Sequence, residues 1–397
     1  MKYIVSILCI NLTLLLSSTR SKGQVAPVPD PGGQAAIWEK IAPYFSPPAA
    51  YQGKYGSYRS PLKCYNGDTV ETDRDWEKRR REILTQWNKM MGEWPPLLKD
   101  QRMTFLDSSR RDGFTQYRVR FKWTPKEYTT GYLLIPDGEG KKPAVITVFY
   151  EPETAIGLGG PDHPYRDFAY QLARRGFITL SIGTTAATQA KTYALYYPDI
   201  RHAAVQPLSM LACAAANAWY ALSKVPEVDS TRIGIMGHSF GGKWAMFASC
   251  LFDKFACAVW SDPGIVFDET REAVNYWEPW YLGYHPPPWR KRGLITKDNP
   301  AKGLYPRLVK AGYDLQELHA LMAPRPFLVS GGSEDTPKRW IALNHAVAVN
   351  RLLGYENRVA MTNRPAHSPT QQSNEIAYLF FTYFLKYNGL TVKNQKP

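Results

Sequence analysis

Ser239 stands in the motif G-H-S-F-G, residues 237–241, which follows an apolar run at 233–236 and precedes a helix-like segment. A G-x-S-x-G between a strand and a helix is typical of a nucleophile elbow, because the turn is so tight that only small residues fit beside the serine. The serine hydroxyl is then held clear of the sheet edge, where it can attack an acyl carbon. We therefore predict Ser239 as a nucleophile and interpret its neighbour His238 as structural.

The general base expected beside this nucleophile is His367. A serine hydroxyl attacks only when a base takes its proton, and an acid holds that base in the correct tautomer. With an elbow of this kind, the acid and then the histidine follow the serine along the chain. Of the seven histidines, only His367 lies in a loop between the last strand-like run and the final helix-like segment.

Two aspartates are candidates for the acid, and both follow strand-like runs. Asp335 comes after the run at 327–330, and Asp262 comes after the run at 256–260. The ends of neighbouring parallel strands meet at one edge of a sheet, so either carboxylate can reach the histidine. We favour Asp335 and keep Asp262 as the alternative.

An attacked carbonyl develops negative charge that backbone N–H groups must stabilise. We expect one donor from Phe240, directly after the nucleophile. A second donor is expected from Tyr150 or Glu151, in the turn after the apolar run at 144–149. This turn lacks the His-Gly pair that is common in such oxyanion loops.

From residue 111 onward, short apolar runs alternate with helix-like segments, which predicts an α/β fold with a mainly parallel sheet and helices on both faces. An aromatic, proline-rich insertion at about 263–313 interrupts this alternation, and we predict that Trp277 and Trp280 in it contact substrate. Before the alternation, residues 72–91 have the apolar spacing of an amphipathic helix. The predicted order is a signal peptide at 1–23, an N-terminal extension at 24–110, a catalytic domain at 111–387 and a tail at 388–397.

Over roughly residues 115–387, the elbow, the acid turn and the histidine loop resemble the dienelactone hydrolase and prolyl oligopeptidase-like branch of the α/β-hydrolases. Within that branch, residues 313–326 look like a segment of bacterial glucuronoyl esterases and related carbohydrate esterases. Those enzymes carry a sugar-binding lysine four residues after the nucleophile, where this chain has Lys243. A residue one helical turn after the nucleophile can point toward the same cleft, so we predict that Lys243 contacts the sugar, with an exposed helix lysine as the alternative. Some of those enzymes place the acid at the position of Asp262. Glucuronoyl esterases usually have an arginine directly after the serine, whereas this chain has Phe240.

The N-terminus has the layout of a secretory signal peptide: Lys2, an apolar run at 4–16, and small residues before Gln24. An uncleaved membrane anchor is the alternative, although this run is short for a bilayer span. The chain carries a formal charge of +14, and removal of the three cations of residues 1–23 leaves +11. A positive field concentrates anionic partners, so an acidic polysaccharide outside the cell suits this charge, and no nucleic-acid motif is present.

The sequence thus predicts a secreted or periplasmic serine esterase that acts on an acetyl, feruloyl or uronate ester of a polysaccharide without metal or organic cofactor. After cleavage of the signal peptide, no membrane association is expected. Three alternatives remain: a prolyl oligopeptidase-like hydrolase, a dienelactone-type hydrolase of a small substrate that is not a sugar, and a carbohydrate-binding relative without activity.

Overall fold

The computed structural model describes residues 28, 31–162, 164–184 and 195–387. The predicted signal peptide at 1–23 and the tail at 388–397 lie outside these residues. None of the helices in the described part of the chain is both long enough and apolar enough to cross a membrane.

Within the described residues, nine strands form one sheet in the order β1-β2-β3-β5-β4-β6-β7-β8-β9. Strands β1 to β3 and β5 pair antiparallel, whereas β5, β4, β6, β7, β8 and β9 pair parallel. The strands are β1 (Thr104–Arg111), β2 (Phe114–Lys122), β3 (Tyr128–Pro136), β4 (Lys142–Phe149), β5 (Ile178–Gly183), β6 (Val228–His238), β7 (Ala258–Ser261), β8 (Phe327–Gly331) and β9 (Val359–Asn363).

Helices cover both faces of this sheet. Ile146 of β4 packs in a core cluster with residues of α5 and α6, whereas its neighbour Val145 packs with residues of α4 and α10. The helices are α1 (Gln34–Ile41), α2 (Asp73–Met91), α3 (Pro152–Ala155), α4 (Phe168–Arg174), α5 (Pro207–Ser223), α6 (Phe240–Leu251), α7 (Tyr305–Lys310), α8 (Gln316–Ala320), α9 (Trp340–Leu352) and α10 (Gln371–Phe381). Short 3-10 turns at Ala42–Phe45 and Pro337–Arg339 and a π-helical turn at Thr382–Lys386 complete the helical elements. The predicted fold class is confirmed.

The amphipathic helix predicted at 72–91 is α2, and its N-terminus shows why it begins there. The Thr72 hydroxyl accepts a hydrogen bond from the Asp75 backbone N–H, and the Asp75 carboxylate accepts one from the Thr72 backbone N–H. This reciprocal capping box satisfies two of the N–H groups that a helix start leaves without partners. The apolar face of α2 is buried, with Ile83 and Trp87 fully inaccessible to solvent.

A buried ion pair fastens α2 to the sheet domain. Arg79 of α2 and Glu317 of α8 are both fully buried, with 3.0 Å between Nη2 and Oε1. The Glu317 carboxylate also accepts hydrogen bonds from the Trp87 indole and the Tyr65 hydroxyl. Because a buried carboxylate left without its partner is strongly destabilising, this pair fixes the N-terminal segment against the domain.

Candidate active site

Ser239 lies at a sharp turn between β6 and α6, where its backbone has φ 56° and ψ −115°. A residue other than glycine in the left-handed region is uncommon and signals a constraint that the surrounding fold imposes. The two flanking glycines show how crowded the turn is. A Cβ on Gly237 would stand 2.1 Å from the Gly241 carbonyl oxygen, and a Cβ on Gly241 would stand 2.1 Å from the Val148 carbonyl oxygen. The turn therefore requires the small residues that the motif supplies.

Three side chains from separate turns meet at this point. The His367 Nε2 atom lies 2.8 Å from the Ser239 Oγ atom, and the His367 Nδ1 atom lies 2.7 Å from the Asp262 Oδ2 atom. The Asp262 side chain is fully buried, whereas the His367 side chain remains 33% exposed. A hydroxyl, an imidazole and a buried carboxylate joined in this order can transfer the hydroxyl proton to the imidazole.

The contact to His367 comes from Asp262 and not from the favoured candidate, Asp335. Asp262 follows β7 directly, and its carboxylate also accepts hydrogen bonds from the backbone N–H groups of Gly332 and Asp335, at 2.6 and 2.9 Å. A Cβ on Gly332 would stand 2.6 Å from the Asp262 Oδ2 atom, so glycine is needed there. The geometry therefore favours the alternative acid.

Asp335 is also fully buried, but its carboxylate faces the backbone of the turn after β7. It accepts hydrogen bonds from the N–H groups of Gly264 and Ile265, at 2.8 and 2.6 Å. Burial and the nearby Asp262 carboxylate raise the pKa of Asp335 above its ordinary value, because both disfavour the charged form. Both aspartates follow strand-like runs, so the sequence alone did not indicate which carboxylate contacts the histidine.

Arg364, which the sequence analysis did not single out, braces the loop that holds His367. Its guanidinium donates hydrogen bonds to the carbonyl oxygens of His367 and Ser368, at 2.7 and 2.8 Å. It also donates to the Ser330 carbonyl at the end of β8, at 2.8 Å. Its only sequence signal was its place three residues before the histidine.

His238 is buried in the turn, as expected of a structural neighbour. Its Nδ1 atom lies 3.1 Å from the Ser261 hydroxyl oxygen, and its ring centroid lies 4.7 Å from that of His367. Burial lowers the pKa of His238 well below its ordinary value, and the nearby His367 lowers it further. A neutral imidazole here adds no charge beside His367.

Tyr150 and Phe240, two of the residues predicted to supply backbone donors to the oxyanion, have stacked side chains. The rings of Tyr150 and Phe240 lie 4.5 Å apart and nearly parallel, with an interplanar angle of 8°. Tyr150 follows β4 directly, and Glu151 is the residue before α3. Phe240 is 1% exposed, so an apolar ring lies buried where the resemblance leads one to expect an arginine.

Lys243 does not present its ammonium group to an open cleft, contrary to the expectation from its spacing. Its Nζ atom donates hydrogen bonds to the carbonyl oxygens of Pro263 and Ala273, at 2.6 and 3.1 Å, and the residue is 2% exposed. Its burial lowers the pKa of Lys243 to about 8. The insertion fills the space above this face of α6, so Lys243 connects α6 to the insertion.

Trp277 and Trp280 are part of the packed interior of the insertion. Trp277 is fully buried, and its indole N–H donates to the Gly293 carbonyl at 2.9 Å. Trp280 is 9% exposed. The structure therefore does not place Trp277 where a solvent-borne substrate could touch it, because its hydrophobic ring stabilises the insertion instead.

No protein-family model and no curated protein sequence matches the chain. Solved protein structures, however, are similar to this chain. A glucuronoyl esterase from Solibacter usitatus superposes with a TM-score of 0.63 at 16% identity, over 82% of this chain and 98% of that one. The chain has the α/β-hydrolase fold.

Two further structures with this hydrolase fold are also similar. A carbohydrate esterase family 15 glucuronoyl esterase from Caldicellulosiruptor kristjansonii has a TM-score of 0.58 at 19% identity, over 89% of this chain and 96% of that one. A glucuronoyl esterase from Sporotrichum thermophile has a TM-score of 0.54 at 18% identity, over 87% of this chain and 92% of that one. Among the described residues of this chain, no group of three or more His, Cys, Asp or Glu side chains is arranged to hold a metal ion.

Proposed function

We propose that this protein is a secreted serine esterase that hydrolyses a carboxylic ester on a carbohydrate. The observation that carries the proposal is the chain of contacts from Ser239 through His367 to Asp262, at 2.8 and 2.7 Å. The similarity to glucuronoyl esterases supports a carbohydrate as the substrate, and the predicted signal peptide and positive charge support action on an acidic polysaccharide outside the cell.

In the proposed reaction, Ser239 attacks the ester carbonyl while His367 takes the hydroxyl proton. The Asp262 carboxylate accepts a hydrogen bond from the His367 Nδ1–H and stabilises the imidazolium that forms. The protonated His367 then gives its proton to the leaving alkoxide, which leaves an acyl group on Ser239. In the second half of the reaction, His367 takes a proton from water, the water attacks the acyl group, and His367 returns the proton to the Ser239 oxygen as the acid is released. The backbone N–H of Phe240 and one from the turn at Tyr150 and Glu151 stabilise the oxyanion.

The test replaces the nucleophile and measures ester hydrolysis. Ser239→Ala should abolish detectable turnover of p-nitrophenyl acetate and leave the thermal unfolding curve unchanged, because only residual catalysis survives without the nucleophile. Ser109→Ala, at an exposed serine of β1, is the matched control and should behave as wild type. Turnover close to wild type in folded Ser239→Ala would refute the nucleophile assignment.

The ester itself is identified by a hydrolysis panel of acetylated, feruloylated and uronate methyl ester glycans. Because Phe240 provides no positive charge beside the nucleophile, we expect the uronate methyl ester to be no better a substrate than the other two. Hydrolysis of none of the three, together with turnover of p-nitrophenyl acetate, would point to a small substrate that is not a sugar.

A further inference from the structure

A cavity of about 480 Å³ lies between helices α4 and α10, and we call it the α4–α10 groove. Its lining includes Thr154, which follows Glu151 by three residues, and Gln371, which follows His367 by four. Its volume falls within the range of small-molecule sites. Two of the segments that supply the predicted oxyanion turn and the predicted base thus continue into the wall of the groove.

Tyr165 forms part of the wall of this groove in a strained conformation. Its φ is 60°, in the left-handed region that a bulky side chain rarely adopts, and its side chain is 49% exposed. The Asn374 side-chain amide, from α10, donates a hydrogen bond to the Tyr165 carbonyl at 2.7 Å and so fixes this backbone. Strain that neighbouring residues maintain is a pointer to function. The result is a constrained backbone that carries a half-exposed aromatic side chain.

Tyr378 of α10 contributes to the wall of the groove but is only 4% exposed. Its hydroxyl is buried and has no hydrogen-bond partner among the described residues, so it does not face the groove. Polar contacts to a ligand would therefore come from the other side chains of the lining.

Charged side chains in the groove are balanced in number. Asp167 and Glu375 provide two carboxylates, and Arg174 and Arg175 provide two guanidinium groups. The Arg175 guanidinium donates to the Glu375 carboxylate at 2.7 Å, and the Asp167 carboxylate accepts from Gln171 at 2.8 Å. The lining thus offers both donors and acceptors without an excess of either charge, which suits an uncharged ligand with many hydroxyl groups.

We propose that the α4–α10 groove binds an uncharged sugar unit of the glycan chain, with the Tyr165 ring against the apolar face of the sugar. That the ligand is a glycan rests on the proposed function. The site itself rests on the cavity, the strained and half-exposed Tyr165 and the balanced charges of the lining. Binding here would hold the polysaccharide on one side of the catalytic centre, and it would affect polymeric substrates only.

The test measures binding of ester-free oligosaccharides to the full chain by calorimetry, with xylotetraose and cellotetraose as neutral probes and tetragalacturonic acid as the acidic probe. Tyr165→Gly keeps the backbone conformation, since glycine tolerates positive φ, but removes the ring. It should weaken binding of a neutral probe at least about tenfold, equivalent to about 1.4 kcal/mol. Tyr165→Phe keeps the ring and should bind within about twofold of wild type on the same scale. Tyr128→Ala, at an exposed tyrosine of β3, is the matched control and should bind as wild type.

The esterase proposal and the proposal for the α4–α10 groove can be refuted independently of each other. Unchanged affinity in Tyr165→Gly, or no binding of either neutral probe to wild type, would refute the groove while leaving the esterase proposal intact. Tighter binding of tetragalacturonic acid than of both neutral probes would overturn the uncharged ligand. The kcat/KM for p-nitrophenyl acetate should stay unchanged in Tyr165→Gly, and a loss there equal to the loss on an esterified polymer would make Tyr165 a support of the catalytic centre instead of a binding residue.

Discussion

The turn after β7 and the turn after β8 lie side by side at one end of the sheet, and each holds a fully buried aspartate. Asp262, in the first turn, contacts the imidazole of His367. Asp335, in the second turn, contacts only backbone N–H groups of the first turn and, at 3.8 Å, the Arg339 guanidinium. A buried carboxylate at a strand end is thus not sufficient to identify the acid, because the position of the histidine loop decides which of the two carboxylates it meets.

The two aspartates also fix each other's turns. The Asp262 carboxylate accepts hydrogen bonds from the backbone N–H groups of Gly332 and Asp335, after β8. The Asp335 carboxylate accepts hydrogen bonds from the backbone N–H groups of Gly264 and Ile265, after β7. This exchange joins the two turns into one rigid unit. We infer that Asp335 positions the turn that carries Asp262 and does not itself contact the reacting groups.

The largest expected effect comes from Asp262→Asn. An amide at this place favours the imidazole tautomer whose Nε2 carries a proton, and that nitrogen then cannot accept the proton of Ser239. Replacements of this kind lower kcat by about 10⁴-fold in serine hydrolases. Steady-state kinetics on p-nitrophenyl acetate would measure the loss.

Asp335→Asn is the matched control for this prediction, since it makes the same chemical change one strand away. We expect kcat to fall by less than about tenfold, because the altered side chain does not touch His367. If Asp335→Asn proved the more damaging of the two, the acid role would pass to Asp335.

A smaller effect is expected from Arg364→Gln, which removes the brace of the histidine loop. The His367 and Ser368 carbonyls lose their donor, so the imidazole is held less accurately between Ser239 and Asp262. Misplacement of a catalytic group by about 1 Å can cost about 10²-fold, and we expect a loss of kcat up to that size with little change in KM.

Two measurements distinguish a positioning role of Arg364 from a general loss of folding. Arg118→Gln, at a half-exposed arginine of β2, should leave kcat unchanged. Circular dichroism and thermal unfolding should show that Arg364→Gln remains folded at the assay temperature. A folded variant with wild-type kcat would show that the loop needs no brace.

Lys243→Met tests the connection between the Asp262 turn and α6. The substitution keeps most of the volume but leaves the Pro263 and Ala273 carbonyls without their donor, which should lower the free energy of unfolding by about 1–3 kcal/mol. Because the ammonium group is buried, kcat/KM should change by the same factor on p-nitrophenyl acetate and on a glycan ester. A loss confined to the glycan ester would restore the sugar contact that the sequence spacing predicted.

Local features of the candidate site were predictable from the sequence, whereas features set by tertiary packing were not. The elbow at Ser239 and the position of His367 depend on short segments and chain order. Strand β1 has no buried apolar face, with most of its residues exposed, so its sequence lacks the alternation that marks a strand. The predicted alternation accordingly began at residue 111 and did not include β1.

The burial of Lys243 and Trp277 does not support the substrate contacts predicted for them, for a related physical reason. Lys243 does lie one helical turn from Ser239, as its spacing requires. No local pattern indicates, however, that the Pro263 and Ala273 carbonyls cover its ammonium group or that the Trp277 ring is buried. Aromatic residues in an insertion can either pack in the interior of the insertion or contact a ligand. Only the tertiary packing distinguishes these two roles.

The smallest expected effect concerns the pH dependence of stability and tests the difference between the two aspartates most sharply. Because the pKa of Asp335 is raised in the folded protein, the folded state binds a proton that the unfolded state, with an ordinary aspartate pKa near 3.9, has already released. The contribution of Asp335 to stability is therefore full below about pH 4 and is lost as the pH rises through the raised pKa.

Asp335→Asn removes this titration, so its free energy of unfolding should fall less steeply, or rise more steeply, from pH 4 to pH 7 than that of wild type. Urea unfolding at pH 4, 5, 6 and 7 measures the two slopes. Asp137→Asn is the control: the hydrogen-bonded Arg110 guanidinium lowers the pKa of Asp137, so Asp137 titrates below this window and its removal should leave the slope as in wild type. Parallel curves for wild type and Asp335→Asn would mean that Asp335 is ionised throughout. The two buried carboxylates would then both be charged, and backbone N–H groups alone would have to offset their repulsion.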